Sequence, residues 1–156
     1  MFIIRNMKQD DVSKCAGIVM EIYNNNILNE GWTEETSNAF VGFVFKIQPD
    51  LCFVAETDGD VIGFAIGFIK PWSNGNILME EELSVKEKYR RKGVAKELMK
   101  ETLKTAIEKY NIVSMCGTTY NEENEMPYSW YKRIGFIKSD ELYIIEGEPK
   151  TILEKL

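Results

Sequence analysis

The sequence contains no histidine. That absence excludes Ser–His and Cys–His nucleophilic catalysis and speaks against a catalytic zinc site, so no metal is expected. Cysteine is scarce too: Cys15, Cys52 and Cys116 are far apart and show no Cys-x-x-Cys spacing. This is the pattern of reduced thiols in a cytoplasmic protein, not of a disulfide framework. No apolar run approaches the ~20 residues of a membrane span. The opening Met1-Phe2-Ile3-Ile4-Arg5 is too short an apolar run for a signal peptide. A cytoplasmic location with no membrane partner is therefore expected. Positive charge is in deficit, with 19 Lys and Arg against 25 Asp and Glu and a net charge of −6. A nucleic-acid binder would usually be basic, so none is expected as a partner. The acidic balance weakly favours cationic partners instead. Neither Gly-x-x-x-x-Gly-Lys-(Ser/Thr) nor Gly-x-Gly-x-x-Gly occurs, which disfavours a P-loop and a dinucleotide Rossmann site. Repeats, linkers and low-complexity segments are also lacking. A chain of 156 residues, 44% hydrophobic and 28% charged, suits one α+β domain over residues 1–156.

Hydrophobic spacing sets the expected elements. Residues 2–5 read as a first strand. Val12, Cys15, Ala16, Val19, Met20 and Tyr23 recur at helical steps over about 10–23, and Asn24-Asn25-Asn26 breaks the run. Thr33 reads as the N-cap of a second helix ending near Ile47, with Glu34 and Glu35 in its first turn. Strands at 51–56 and 61–69 flank Asp58-Gly59, a hairpin signal. A loop with Trp72 spans 71–76, and a strand follows over 77–85. Gly93 to Tyr110 forms the clearest amphipathic helix, its stripe running Val94, Ala95, Leu98, Met99, Leu103, Ala106, Ile107 and Tyr110. A strand at 112–119 and a short helix at 127–133, ended by Gly135, come next. Residues 136–146 and 150–156 read as a closing hairpin. The expectation is a mixed sheet of six or seven strands with four helices.

The most informative segment is Leu83-Ser84-Val85-Lys86-Glu87-Lys88-Tyr89-Arg90-Arg91-Lys92-Gly93-Val94-Ala95-Lys96. A strand ends, a basic turn follows, and a long helix opens. The free N–H groups of a helix start bind anions. Gly93 and the small Ala95 allow close backbone approach, and Arg90, Arg91 and Lys92 add positive charge. These are the parts of a pyrophosphate cradle.

The spacing Arg90-x-x-Gly93-x-Ala95 resembles the (Gln/Arg)-x-x-Gly-x-(Gly/Ala) signature of the GNAT N-acetyltransferase superfamily. Downstream, Asn124, Tyr131, Gly135 and Phe136 fall in register with that family's Asn-x-x-Ala-x-x-x-Tyr-x-x-x-Gly-Phe segment. Pro127 replaces the usual alanine, which a first helical turn tolerates. The resemblance covers the chain in element order, and specific residues lie within 80–136. It implies the GNAT fold and an acetyltransferase that uses acetyl-CoA (coenzyme A) as co-substrate.

By that resemblance, the strands at 77–85 and 112–119 splay apart around the pantetheine arm. Backbone groups of Leu83, Ser84 and Val85 pair with it, residues 90–96 (including Val94 and Lys96) hold the pyrophosphate, and Asn124 contacts the cofactor. Tyr131 then acts as general acid toward the departing sulfur. Glu81 ranks first and Glu82 second as general base, with a β-bulge expected to disturb their alternation. Trp32 and Trp72 border the acceptor site. Each of these residues also has a purely structural role open to it: a solvated strand face for the glutamates, a core aromatic for Tyr131, a turn or cap for Asn124, loop closure for the tryptophans. The implied acceptor is a small cationic amine. A peptide or protein N-terminus, a non-catalytic acyl-CoA-binding module and a homodimeric assembly stay open.

Overall fold

Asp58 and Gly59 both adopt positive φ, 50° and 82°, the combination that closes a two-residue hairpin. Around that turn the chain builds a meander. The computed structural model describes residues 1–25, 28–120, 127–139, 144 and 147–155. They fall into two compact units, Met1–Thr118 and Thr119–Leu156.

The first unit holds one sheet in the order β1-β2-β3-β4-β5. Its strands are β1 (Ile3–Asn6), β2 (Phe53–Thr57), β3 (Asp60–Trp72), β4 (Gly75–Val85) and β5 (Ile112–Gly117). Neighbours are antiparallel except β4 and β5, which run parallel. Helices α1 (Val12–Tyr23) and α2 (Glu34–Ile47) precede β2, and α3 (Val94–Tyr110) makes the β4–β5 crossover. Thr33 caps α2, its hydroxyl accepting from the N–H of Thr36, as the sequence indicates.

Alternation along the strands divides the core. Val54, Phe64 and Ile66 pack with Val12, Cys15, Ile18, Val19, Val41 and Val44 of α1 and α2. Phe53, Ala65 and Val85 pack on the opposite face with Val94 and Leu98 of α3, and Leu78 joins Ala106 and Leu51 there. At the sheet edge, Arg5 binds Asp11 and Glu56, each at 2.6 Å, and so ties β1 to β2 and to the turn before α1. Among the described residues no helix is long and apolar enough to cross a membrane.

Two expectations are corrected in this unit. Residues 71–76 are not an open loop: β3 and β4 pair as far as Trp72 and Gly75, and the turn is Ser73-Asn74. Pro71 is tolerated because β2 pairs with β3 only as far as Ala65, so its missing N–H costs no ladder bond on that side. Residues 49–51 form a single 3₁₀ turn, so β2 begins at Phe53.

The second unit contains α4 (Tyr128–Arg133) and α5 (Pro149–Lys155). The expected strand at 150–156 is therefore a helix. Pro149 takes the first helical position, where its ring is pre-set. The Glu148 carboxylate accepts from the N–H groups of Lys150 at 3.0 Å and Thr151 at 2.6 Å. That cap overrides the β-forming Thr151-Ile152. Residues 136–139 carry no strand, and the rest of the expected strand lies largely outside the described residues. Among the described residues the count is thus five strands and five α-helices, not six or seven strands and four.

Candidate active site

The β3–β4 ladder is regular from Trp72↔Gly75 to Gly67↔Glu80, then resumes at Ile66↔Glu82. Glu81 is the extra residue of a β-bulge. Simple alternation would put Glu80 and Glu82 on one face. Across a bulge the parity flips, and cross-strand partners share a face. Glu80, opposite Gly67, therefore lies on the α3 face, where it is buried. Glu82, opposite Ile66, lies on the α1–α2 face, and Glu81 is exposed.

Glu82 is partly buried. Its carboxylate accepts from the Tyr23 phenol, 2.9 and 3.1 Å from the two oxygens, and from the Ser84 hydroxyl at 2.5 Å. Burial pushes its pKa above the usual carboxylate range. The bonds from Ser84 and Tyr23 pull it down, and Glu30 pushes it up again. A carboxylate raised in this way suits a general base near neutral pH.

Beyond the bulge, β4 changes neighbours. Its pairing with β5 is recorded only from Asn76↔Ile112 to Glu80↔Gly117. Residues 81–85 continue as strand with no β5 partner among the described residues. Unpaired backbone groups are ready partners for an extended amide-bearing ligand. The Leu83 and Val85 side chains are anchored on the α3 face, which fixes this edge. Arg90 Nε donates to the Val85 carbonyl at 3.1 Å and draws the basic turn against the strand end.

That turn leads into α3. Arg91 and Gly93 both have positive φ, 60° and 84°. A Cβ built on Gly93 meets no atom within 4 Å. The left-handed φ, not crowding by the protein, calls for glycine there, and the space beside it is open. Gly93 gives α3 no side-chain cap, and the first helical bond runs from Glu97 N–H to Gly93 C=O at 3.1 Å. The N–H groups of Val94, Ala95 and Lys96 thus lack a helical acceptor. Arg90, Arg91, Lys92 and Lys96 lie exposed or nearly so around them. The Lys92 ammonium sits 5.4 Å from the Tyr89 ring centroid. A helix start of this kind, with free N–H donors and a dipole of matching sign, favours an anion.

The two tryptophans separate. Trp32 packs against Phe40 at 5.5 Å and donates its indole N–H to Glu30 at 2.8 Å. Its main chain is bracketed by the Asn24 side chain, with both bonds 2.7 Å, beside Tyr23. Trp72 lies at the far tip of the β3–β4 hairpin under the Lys70 ammonium. From Ile66, the partner of Glu82, to Trp72 is six residues of β3, roughly 20 Å at about 3.3 Å per residue. The fold brings Trp32 toward Glu82 but not Trp72.

In the second unit, the Tyr131 ring meets Trp130 and Phe136 edge-on, at 5.1 and 5.2 Å. Gly135, at φ 107°, ends α4. Asn124 lies outside the described residues.

The sequence model of the acetyltransferase (GNAT) family matches residues 18–136. The chain belongs to this family. Its activity is that of an acetyl-CoA-dependent N-acetyltransferase. An uncharacterized N-acetyltransferase of Methanocaldococcus jannaschii is 27% identical, the match covering 98% of this chain and 90% of the relative. Among solved structures, the aminoglycoside N-acetyltransferase AAC(6')-Iy in complex with CoA superposes with TM-score 0.73 at 22% identity, covering 94% of this chain and 95% of that one. A ribosomal-protein-alanine N-acetyltransferase from Brucella melitensis gives 0.69 at 16% identity, covering 94% and 100%. Similarity at these identities establishes the shared fold. Within this GNAT chain, two residues that the sequence pattern does not single out, Tyr23 and Glu30, act on Glu82. The phenol at the end of an otherwise aliphatic α1 stripe was the one available signal for Tyr23. Nothing local marks Glu30.

Proposed function

We propose that this GNAT enzyme transfers the acetyl group of acetyl-CoA to a primary amine on a small cationic molecule, with Glu82 as general base. The observation that carries the reading is the course of β4. The strand bulges at Glu81, loses β5 as partner, and runs through a basic turn into an uncapped helix start. One edge can take the amides of the pantetheine arm and the helix start the pyrophosphate, while Glu82 is turned to the opposite face, toward α1. The residues present fit coenzyme A: the outward backbone groups of Leu83 and Val85 for the arm, with Ser84 between them paired to Phe64 of β3, and residues 90–96 for the phosphates. Asn124 completes that set by family resemblance.

An alkylamine with a pKa near 10.4 is neutral in only about one molecule in 2,500 at pH 7. Glu82 takes the proton from the ammonium, directly or through water. The freed nitrogen bonds to the thioester carbonyl carbon, the C–S bond breaks, and the sulfur receives a proton from the Tyr131 phenol. The second proton the nitrogen sheds as the amide forms passes through water to restore the phenol, and Glu82 gives its own to solvent. The N–H of Val85 donates to the carbonyl oxygen as charge builds there. Glu82 is preferred to Glu81 because it is held by hydroxyl donors in a partly buried site.

A cationic acceptor is supported by the net charge of −6 and by Glu30 near Glu82. AAC(6')-Iy has also been solved with a bisubstrate analogue of CoA and acetylneamine. A peptide acceptor is the second reading, motivated by the similar ribosomal-protein-alanine N-acetyltransferase. Release of free CoA thiol, followed against polyamines, aminoglycosides and peptides, decides between them. Turnover of small amines supports the first reading, turnover confined to peptides the second. Release with none of them refutes both.

A further inference from the structure

We propose that Tyr23 is a positioning residue for Glu82, its phenol fixing the carboxylate's orientation and stabilising its charged form. The inference rests on the reading of Glu82 as base and adds a residue from a different element. Glu82 lies on β4 just past the bulge, beyond the last recorded pairing with β5. Tyr23 is the last residue of α1, and its side chain reaches both carboxylate oxygens. Ser84 holds one of the same oxygens from β4 itself. Two donors from two elements define the carboxylate plane, which one alone would leave free to rotate.

Tyr23 is also tied to the loop after α1. Its backbone carbonyl accepts from the Glu30 N–H at 3.0 Å, and the adjacent Asn24 side chain brackets Trp32. The groups facing Glu82 can be named element by element. From α1 comes the Tyr23 phenol, from the loop the Glu30 carboxylate, from β4 the Ser84 hydroxyl, and from β3 the apolar Ile66 and Phe64. Glu30 opposes the charge on Glu82, whereas the two hydroxyls favour it. Removing the phenol therefore makes Glu82 easier to protonate, and the loss of base must be greatest in acid.

The test uses Tyr23→Phe, which keeps the ring. Glu82 is followed by its ¹³C carboxyl resonance in glutamate-labelled full-length protein, assigned by its disappearance in Glu82→Gln. The titration midpoint is expected to move to higher pH in Tyr23→Phe. kcat/KM is then measured against pH with acetyl-CoA and the best acceptor of the amine panel. It is expected to fall about tenfold at pH 6 and to stay within about threefold of wild type above pH 8, the scale of one hydrogen bond to a charged group. An unmoved midpoint, or one loss factor at every pH, overturns the proposal. If Tyr23→Phe does not fold, Tyr23→Leu, which also removes the phenol, is expected to give the same upward shift, and no shift there also overturns it. Full activity in Glu82→Gln would instead refute Glu82 as base. The NMR titration would still show whether Tyr23 governs that carboxylate.

Discussion

A methyl group at Gly67 would stand 2.5 Å from the carbonyl oxygen of Met79 and 3.4 Å from Leu78 Cδ1. Carbon–oxygen contacts between strands settle at about 3.3 Å, so Gly67→Ala must push β3 and β4 apart by roughly 0.8 Å. The obstruction is backbone against backbone, and no side chain can rotate away to relieve it. Overpacking of this kind costs about 1–3 kcal/mol, or about 2–12 °C in Tm for a domain of this size. Gly67 pairs with Glu80 where the ladder shifts, so the displacement falls on the bulge that aims Glu82. Urea unfolding followed by circular dichroism gives the stability, and CoA-thiol release at a temperature where the variant stays folded gives the turnover. Both are expected to fall. Gly17→Ala is the control: the added Cβ meets nothing within 4 Å, inside a helix, and should stabilise by about 0.5–1 kcal/mol. If Gly67→Ala proves as stable and active as wild type, the bulge does not position Glu82.

Arg5→Ala strands the buried Asp11 and should destabilise by about 3 kcal/mol, measured by urea denaturation. The Arg5 hydrogen bond holds the Asp11 pKa below its usual value. That stabilisation is present above the unfolded-state pKa and is lost as pH falls through the folded one, so wild-type stability drops in acid below about pH 4 and the variant loses this part of the drop. Thiol labelling offers another check. Cys15 and Cys52 are buried and Cys116 exposed, and burial pushes the Cys52 thiol up to about 12. Ellman's reagent should therefore modify Cys116 alone in the native protein, and labelling of Cys15 or Cys52 would contradict the described core.

The parts of this chain written in local periodicity were legible in its sequence. The α3 stripe, the Thr33 cap and the Asp58-Gly59 turn each rest on residues within one turn or hairpin of one another. The strand end, basic turn and helix start around Gly93 were legible because they too are contiguous in one stretch. What escaped depends on partners distant in sequence. Which glutamate faces α1 is decided by a bulge whose position is set by pairing with β3. The contact between Tyr23 and Glu82 joins residues 59 apart. Pro71 looked like a strand terminator because the sequence does not show that β2 has already ended. At the C-terminus two short-range signals compete, and the Glu148-Pro149 helix start prevails over the β-branched Thr151-Ile152 that follows it.

The most direct test of the account is calorimetric titration of CoA into wild type and Gly93→Glu. Both proteins should first be confirmed folded by circular dichroism, because a left-handed φ costs a non-glycine residue about 1–2 kcal/mol. The wild type is predicted to bind CoA. The variant, with a carboxylate set where the diphosphate is proposed to lie and a Cβ entering the open space beside the helix start, is predicted to bind at least about tenfold more weakly, a loss of about 1.4 kcal/mol. Equal affinity in the two proteins, or no heat with the wild type, would contradict the assignment of this helix start as the phosphate site.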